Sequence, residues 1–194
     1  MAKNSKFDRV QVVDKAVDLY WKKGFHATSM RNLQEVIDMR PGSIYATFGS
    51  KEGLFKESLQ RYTQLGILHL QQCCNEKQSP LLGLKSFIHQ IVVEKRSSSP
   101  SGMCMLVKTI TELTNENEEL LAEAKRSLKI METEFEKVLK QAQVIGEIEQ
   151  GKDTKQLAQF VQVQIAGLRT YARTIDSDFP LQKMLDNMFT HYPF

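Results

Sequence analysis

Thr28-Ser29-Met30-Arg31-Asn32-Leu33-Gln34-Glu35-Val36-Ile37-Asp38-Met39-Arg40-Pro41-Gly42-Ser43-Ile44-Tyr45-Ala46-Thr47-Phe48-Gly49-Ser50-Lys51 is the stretch on which the reading of this chain turns. Two short helices are legible in it. Met30, Leu33, Val36 and Ile37 recur at helical spacing and form the buried side of the first, Ser29 to Ile37, which Thr28 can cap. Pro41, preorganised for a first helical position, opens the second, which ends by Phe48. The connection around Asp38 to Arg40 is tight, and the second helix runs for only about seven residues, which is helix-turn-helix spacing. Ile44 and Phe48 lie four apart and anchor one face of it, so Ser43, Ala46 and Thr47 point outward. Small side chains there suit a backbone that must come close to a surface.

Outward from this span the chain reads as helix throughout. Val13, Ala16, Val17 and Tyr20 form an apolar stripe on a first helix, Asp8 to Lys23, with Gly24 as its C-terminal cap. Ser50 caps a fourth helix from Lys51 to about Asn75. Past Pro80, Leu84, Phe87, Ile88 and Ile91 make Leu81 to Lys95 amphipathic, and Arg96 to Gly102 is the clearest loop. Helices are expected at Met103 to Leu113, Glu116 to Val144, Thr154 to Ile175 and Pro180 to His191. The longest apolar β-branched run is Ile91-Val92-Val93, so strand signals are almost absent. The expectation is an all-α chain of about nine helices: a three-helix module over residues 1–50, then a larger helical domain over residues 51–194, joined by the fourth helix.

Composition excludes several classes. A hydrophobic fraction of 41% with 25% charged residues is too apolar for disorder. No apolar run approaches the roughly 18 residues of a membrane span, and Met1 to Lys6 has no apolar core behind it to act as a signal peptide. No membrane partner and a cytoplasmic location are therefore expected. Cys73, Cys74 and Cys104 make an odd count without CxxC spacing, and His26, His69, His89 and His191 show no ligand spacing, so neither metal nor cofactor is indicated. The net charge of +3 is unevenly placed. Up to Gln60, seven Lys and three Arg stand against seven Asp or Glu, whereas the remainder carries 16 basic and 16 acidic residues. All the excess lies at the helix-turn-helix end, which makes nucleic acid a candidate partner.

The run Gly24-Phe25-x-x-Thr28-Ser29-Met30-x-x-Leu33, followed by Pro41-Gly42-Ser43-Ile44-Tyr45-x-x-Phe48-x-Ser50-Lys51-Glu52-x-Leu54, resembles the DNA-binding domain of the TetR family of transcriptional regulators. The likeness covers about Val12 to Phe55. It implies that the helix from Pro41 to Phe48 enters the major groove of double-stranded DNA, with Arg40, Pro41, Ser43, Ala46 and Thr47 facing base edges. It further implies that Tyr45 donates to a phosphate, that Lys51 meets the backbone, and that Thr28 with nearby amides holds another phosphate. Two positions depart from the family pattern. Arg40, followed by Pro41, stands where a capping Ser or Thr is usual, and Asp38 replaces the glycine of the turn.

For the larger domain the resemblance implies an effector cavity and a homodimer built from the last two long helices. Leu157, Phe160, Val161, Ile165, Leu168, Tyr171 and Ala172 exceed one narrow core stripe and are the candidate dimer face. Phe87, Ile91, Met103, Met105, Leu106, Met131, Phe135 and Phe160 are candidates to line an apolar cavity for an unknown small-molecule effector. Cys104 and Lys108 resemble a family subgroup in which a cysteine at this helix start, with a lysine one turn later, senses oxidants or electrophiles. The physical basis is a thiolate favoured by the helix dipole and by the ammonium at i+4. The chain is thus expected to be a regulator, most simply a repressor, that binds a palindromic operator and is released by a lipophilic or electrophilic effector. Two other classes are a ligand-binding helical dimer without DNA binding, and an enzyme using Cys104. No histidine in the surrounding sequence supplies the base that such an enzyme needs.

Overall fold

The computed structural model describes residues 8–94 and 100–190. Among these residues there are nine α-helices and no strand. They are α1 (Arg9–Lys23), α2 (Met30–Ile37), α3 (Pro41–Phe48), α4 (Lys51–Asn75), α5 (Pro80–His89), α6 (Met105–Glu112), α7 (Glu118–Val144), α8 (Thr154–Ala172) and α9 (Phe179–Thr190). Most of the expected loop at 96–102, and His191 at the expected end of α9, lie outside the described residues.

The helix starts follow from side chains that satisfy free amides. Asp8, Ser50, Ser79 and Asp153 each accept hydrogen bonds from first-turn amides of α1, α4, α5 and α8. At α2 the cap is Ser29 rather than Thr28. Ser29 Oγ accepts from Asn32 N, and Asn32 Oδ1 accepts from Ser29 N, a reciprocal capping box. Thr28 is fully buried, and its hydroxyl donates to the Gly24 carbonyl at 2.6 Å. The expected helix at Leu81 to Lys95 is α5 continued by a wider π turn at Gln90–Glu94. Periodicity alone does not register such a change of pitch.

Two hydrophobic cores organise the bundle. One joins α4, α5, α7, α8 and α9 around Leu84, Phe87, Ile88, Phe135, Leu139, Val161 and Leu181. The other packs α1, α2, α3 and the first half of α4 around Tyr20, Phe25, Leu33, Ile44, Phe48 and Phe55, and it also takes in Met105, Leu106, Leu113, Leu120 and Ala124 from α6 and α7. A boundary at residue 50 therefore does not coincide with a boundary of the core. Arg61 on α4 pairs with Asp14 on α1 in a bidentate contact through Nε and Nη2, at 2.6 and 3.1 Å. Arg9 joins α1 to Glu57 and lies 4.8 Å over the Phe48 ring.

α4 and α5 approach closely where Gly83 meets Cys74. A Cβ on Gly83 would fall 2.5 Å from Cys74 Cα and 2.9 Å from its Sγ. Backbone cannot yield as a flexible side-chain end can, so Gly83→Ala is expected to cost about 1–3 kcal/mol of stability. A lowered Tm and denaturation midpoint would show this, and an unchanged Tm would contradict the close packing.

Candidate nucleic-acid interface and effector cavity

The α2–α3 corner is held from inside and left open outside. Leu33 and Ile37 of α2 and Ile44 and Phe48 of α3 are buried against α1 and α4. Asp38 makes the turn with φ 54° and ψ 46°, the left-handed conformation that glycine usually supplies and that Asp tolerates better than most residues. Arg40, Pro41, Ser43, Tyr45 and Ala46 are exposed on the outer side of α3, and Thr47 is half-buried. No side chain caps α3. Its positive end is therefore free for an anion, and Pro41 adds no unsatisfied amide there.

Two expected phosphate contacts are placed differently. Thr28 is buried with its hydroxyl already donated, so its side chain is turned inward. Lys51 begins α4 as expected, but its ammonium donates to the Phe25 carbonyl at 2.7 Å and sits 4.2 Å over the Phe25 ring. Burial holds its pKa below the ordinary value, with Glu52 and Glu112 opposing. In this arrangement Lys51 fastens the α1–α2 connection to α4, aided by the Tyr20 hydroxyl, which donates to the Lys51 carbonyl at 3.2 Å.

A second fastening comes from α6. Glu112 accepts from Phe25 N at 3.2 Å and from His26 N at 2.8 Å. Lys108 Nζ donates to the carbonyls of Trp21 and Lys22 at 3.1 and 2.8 Å, where it complements the negative end of α1. The Trp21 indole donates to the Met103 carbonyl at 2.6 Å. Lys108 is thus committed to α1, which corrects the expectation that its ammonium faces Cys104. Gly24 permits the grip: its φ is 87°, and a Cβ there would lie 2.2 Å from the Glu112 carboxylate.

Behind α6 lies a cavity of about 530 Å³, bounded by α1, α4, α5, α6, α7 and α8, within the range of small-molecule sites. Phe87, Ile91, Cys104, Met131 and Phe135 line it as expected from sequence. Met103, Met105, Lys108 and Phe160 do not. Met105 is buried in the core shared with α1 and α4, the Met103 sulfur accepts from Arg173, Lys108 holds α1, and Phe160 packs against the larger core. α6 begins only at Met105 with Cys104 as its N-cap, so Met103 lies outside the helix expected to carry it. The lining also includes Trp21, Asp18, Tyr62, Gln162 and Arg169, which a search for apolar candidates in the second half could not find. Tyr62 lies beside Cys104 and the Met105 backbone. Burial first, then Cys104, raises the Tyr62 pKa, with Arg169 opposing.

The expected dimer face needs a similar correction. Leu157, Val161, Ile165, Leu168 and Ala172 are buried in the chain's own core, because α8 lies against both α7 and the π turn. Phe160 is half-buried on the same core, and Tyr171 alone of the seven is exposed. Val163 at 66% exposure, Gly167 and Tyr171, each four apart, form the outward apolar stripe of α8; Phe179 and Met184 are exposed on α9.

A short exposed helix held on a helix-turn-helix corner, carried by an all-helical body, is the architecture of a DNA-binding transcriptional regulator. Comparison with known proteins agrees. Residues 12–58 match the model for bacterial regulatory proteins of the tetR family, and residues 81–188 match that for the tetracyclin repressor-like C-terminal domain. The chain belongs to the TetR family and, like its relatives, is a regulator rather than an enzyme. It is 30% identical over 168 residues to the HTH-type transcriptional repressor ComR of Escherichia coli, which covers 86% of this chain and 80% of that one. The fold is shared with the TetR family regulator CifR, solved as a cysteine mutant with 26-base-pair double-strand operator DNA (TM-score 0.85, 24% identity, 98% of this chain and 100% of that one). It is shared too with reduced NemR of E. coli (TM-score 0.81, 18% identity, 93% and 95%). No helix among the described residues is long and apolar enough to cross a membrane, and none of their His, Cys, Asp and Glu cluster as a metal site.

The left-handed Asp38 gives a direct check on the turn. Asp38→Gly is expected to leave stability unchanged or raise it slightly. Asp38→Val, β-branched at positive φ, should cost about 1–3 kcal/mol. Equal Tm values for the two variants would contradict the left-handed turn.

Proposed function

We propose that the chain is a homodimeric repressor that binds a palindromic operator and is released when a small molecule enters the cavity behind α6. The observation that carries this reading is the exposed, uncapped α3, with Arg40, Ser43, Tyr45 and Ala46 on its outer side, in a chain of this family. A dimer would present two such helices to successive major grooves about 34 to 36 Å apart. Arg40 is the candidate for guanine or for a phosphate, and Tyr45 for a phosphate. Val163, Gly167 and Tyr171, with Phe179 and Met184, supply the apolar face for the partner. Nothing lies within 4 Å of the Cβ position at Gly167, which leaves room for a second helix to approach.

The release route runs through α6. Cys104, Leu106 and Val107 line the cavity, while Lys108 and Glu112 hold the end of α1. A ligand that displaces α6 would carry the α1–α2 corner with it and change the separation of the two α3 helices, lowering operator affinity. That Cys104 lines the cavity also favours a second reading, in which covalent modification of its thiol takes the place of a bound ligand.

Gel-shift titration against the promoter of the encoding locus tests the reading. Salt-sensitive binding is expected, weakened about three- to tenfold by Tyr45→Phe and about tenfold or more by Arg40→Ala. Absence of salt-sensitive binding to any upstream fragment would sink it. Val163→Glu is expected to yield a folded monomer by light scattering with greatly reduced operator affinity. Should it remain dimeric, the α8 face is not the interface. For the thiol route, N-ethylmaleimide should release DNA from the native chain and not from Cys104→Ser; release from both would exclude Cys104.

A further inference from the structure

We infer that the cavity takes an amphipathic organic acid, with its carboxylate held by Arg169 and its hydrocarbon part against the apolar walls of α4, α5 and α7. This rests on reading the cavity as an effector site and names the chemistry of its occupant. Arg169, on α8, lines the cavity while only 6% exposed. Its Nε is shielded from solvent and has no acceptor. Among the described residues its guanidinium forms neither a salt bridge nor a hydrogen bond; the Trp21 ring lies 5.7 Å away, and the Tyr62 phenol is near enough to feel its charge. A guanidinium withdrawn from water without an acceptor is unfavourable, and an anion from outside the chain would relieve that cost.

The surroundings favour a carboxylate. Asp18, the acidic side chain in the lining, makes no ion pair with Arg169, and burial together with Asp14 raises its pKa, which weakens its own claim on the cation. Tyr62 lies beside Cys104 and packs edge-on to Trp21 at 5.1 Å, so it shapes the wall around Arg169. The start of α6 carries no side-chain cap, and Leu106 and Val107 of its first turn line the cavity, which adds positive potential. A planar carboxylate fits the guanidinium fork in two parallel hydrogen bonds. Phe87, Met131 and Phe135 leave the rest of the cavity suited to hydrocarbon, and a volume of about 530 Å³ admits a chain or an aromatic ring.

Isothermal titration of the full chain without DNA tests this with octanoate, decanoate and hydrocinnamate, each against its primary amide, below micelle-forming concentrations. At least one acid is expected to bind about tenfold or more tightly than its amide. Arg169→Met should abolish that preference while leaving amide binding unchanged, and Arg169→Lys should retain part of it. Circular dichroism checks that both variants fold, and the acid-against-amide comparison on the native chain needs neither. The inference is overturned if no acid binds, if every acid binds no better than its amide, or if folded Arg169→Met keeps the preference. A chain that prefers the acid yet never binds operator would sink the regulatory reading alone. An operator-binding chain indifferent to acid against amide would sink this inference alone.

Discussion

Helix α3 has eight residues and is too short to persist unaided. Everything the chain presents to DNA therefore depends on how the α1–α2 corner behind it is fixed. Two carboxylate–amide hydrogen bonds from Glu112, two ammonium–carbonyl bonds from Lys108 and one from Lys51 all converge on the residues between Trp21 and His26. These charge-assisted bonds are stronger and more directional than neutral ones. They act on the segment where the chain leaves α1 and has no helical ladder of its own.

The same contacts unite what a domain boundary would separate. Because α6 and the start of α7 contribute Met105, Leu106, Leu113, Leu120 and Ala124 to the core beneath α1–α3, the reading head and the cavity wall share a packed interior. Close-packed interiors transmit displacement because they have no free volume to absorb it. The end of α1 contributes Trp21 to the cavity wall and is also held by Lys108 and Glu112 of α6, so the cavity and the α1–α2 corner share a boundary.

Much of this was legible without coordinates. The helix boundaries of α3 and α4, the inward anchors Ile44 and Phe48 and the outward Ser43 and Ala46 follow from local rules of spacing and capping, whereas Thr47, expected outward with them, is half-buried. The left-handed Asp38 was less so. Its place in the turn was visible as a departure from the family pattern, but only the backbone angles show that an Asp can serve there. Thr28 and Ser29, equally good caps by residue type, were distinguished only by which hydroxyl faces the amides and which the Gly24 carbonyl.

The sequence by itself determined the all-helical class and the helix-turn-helix span, because periodicity, capping and turn chemistry act over a few residues and leave their pattern in the order of the chain, and the resemblance of its motif pointed to the family. Only the tertiary structure decided the roles of the long polar side chains. Lys51, Lys108, Glu112 and Arg169 can each reach several partners from a given backbone position. Which one they meet depends on residues up to 87 positions away, as in the bond from Lys108 to Trp21. The apolar residues of α8 turned inward for the same reason: the stripe is local, but the neighbour that covers each side of it is not.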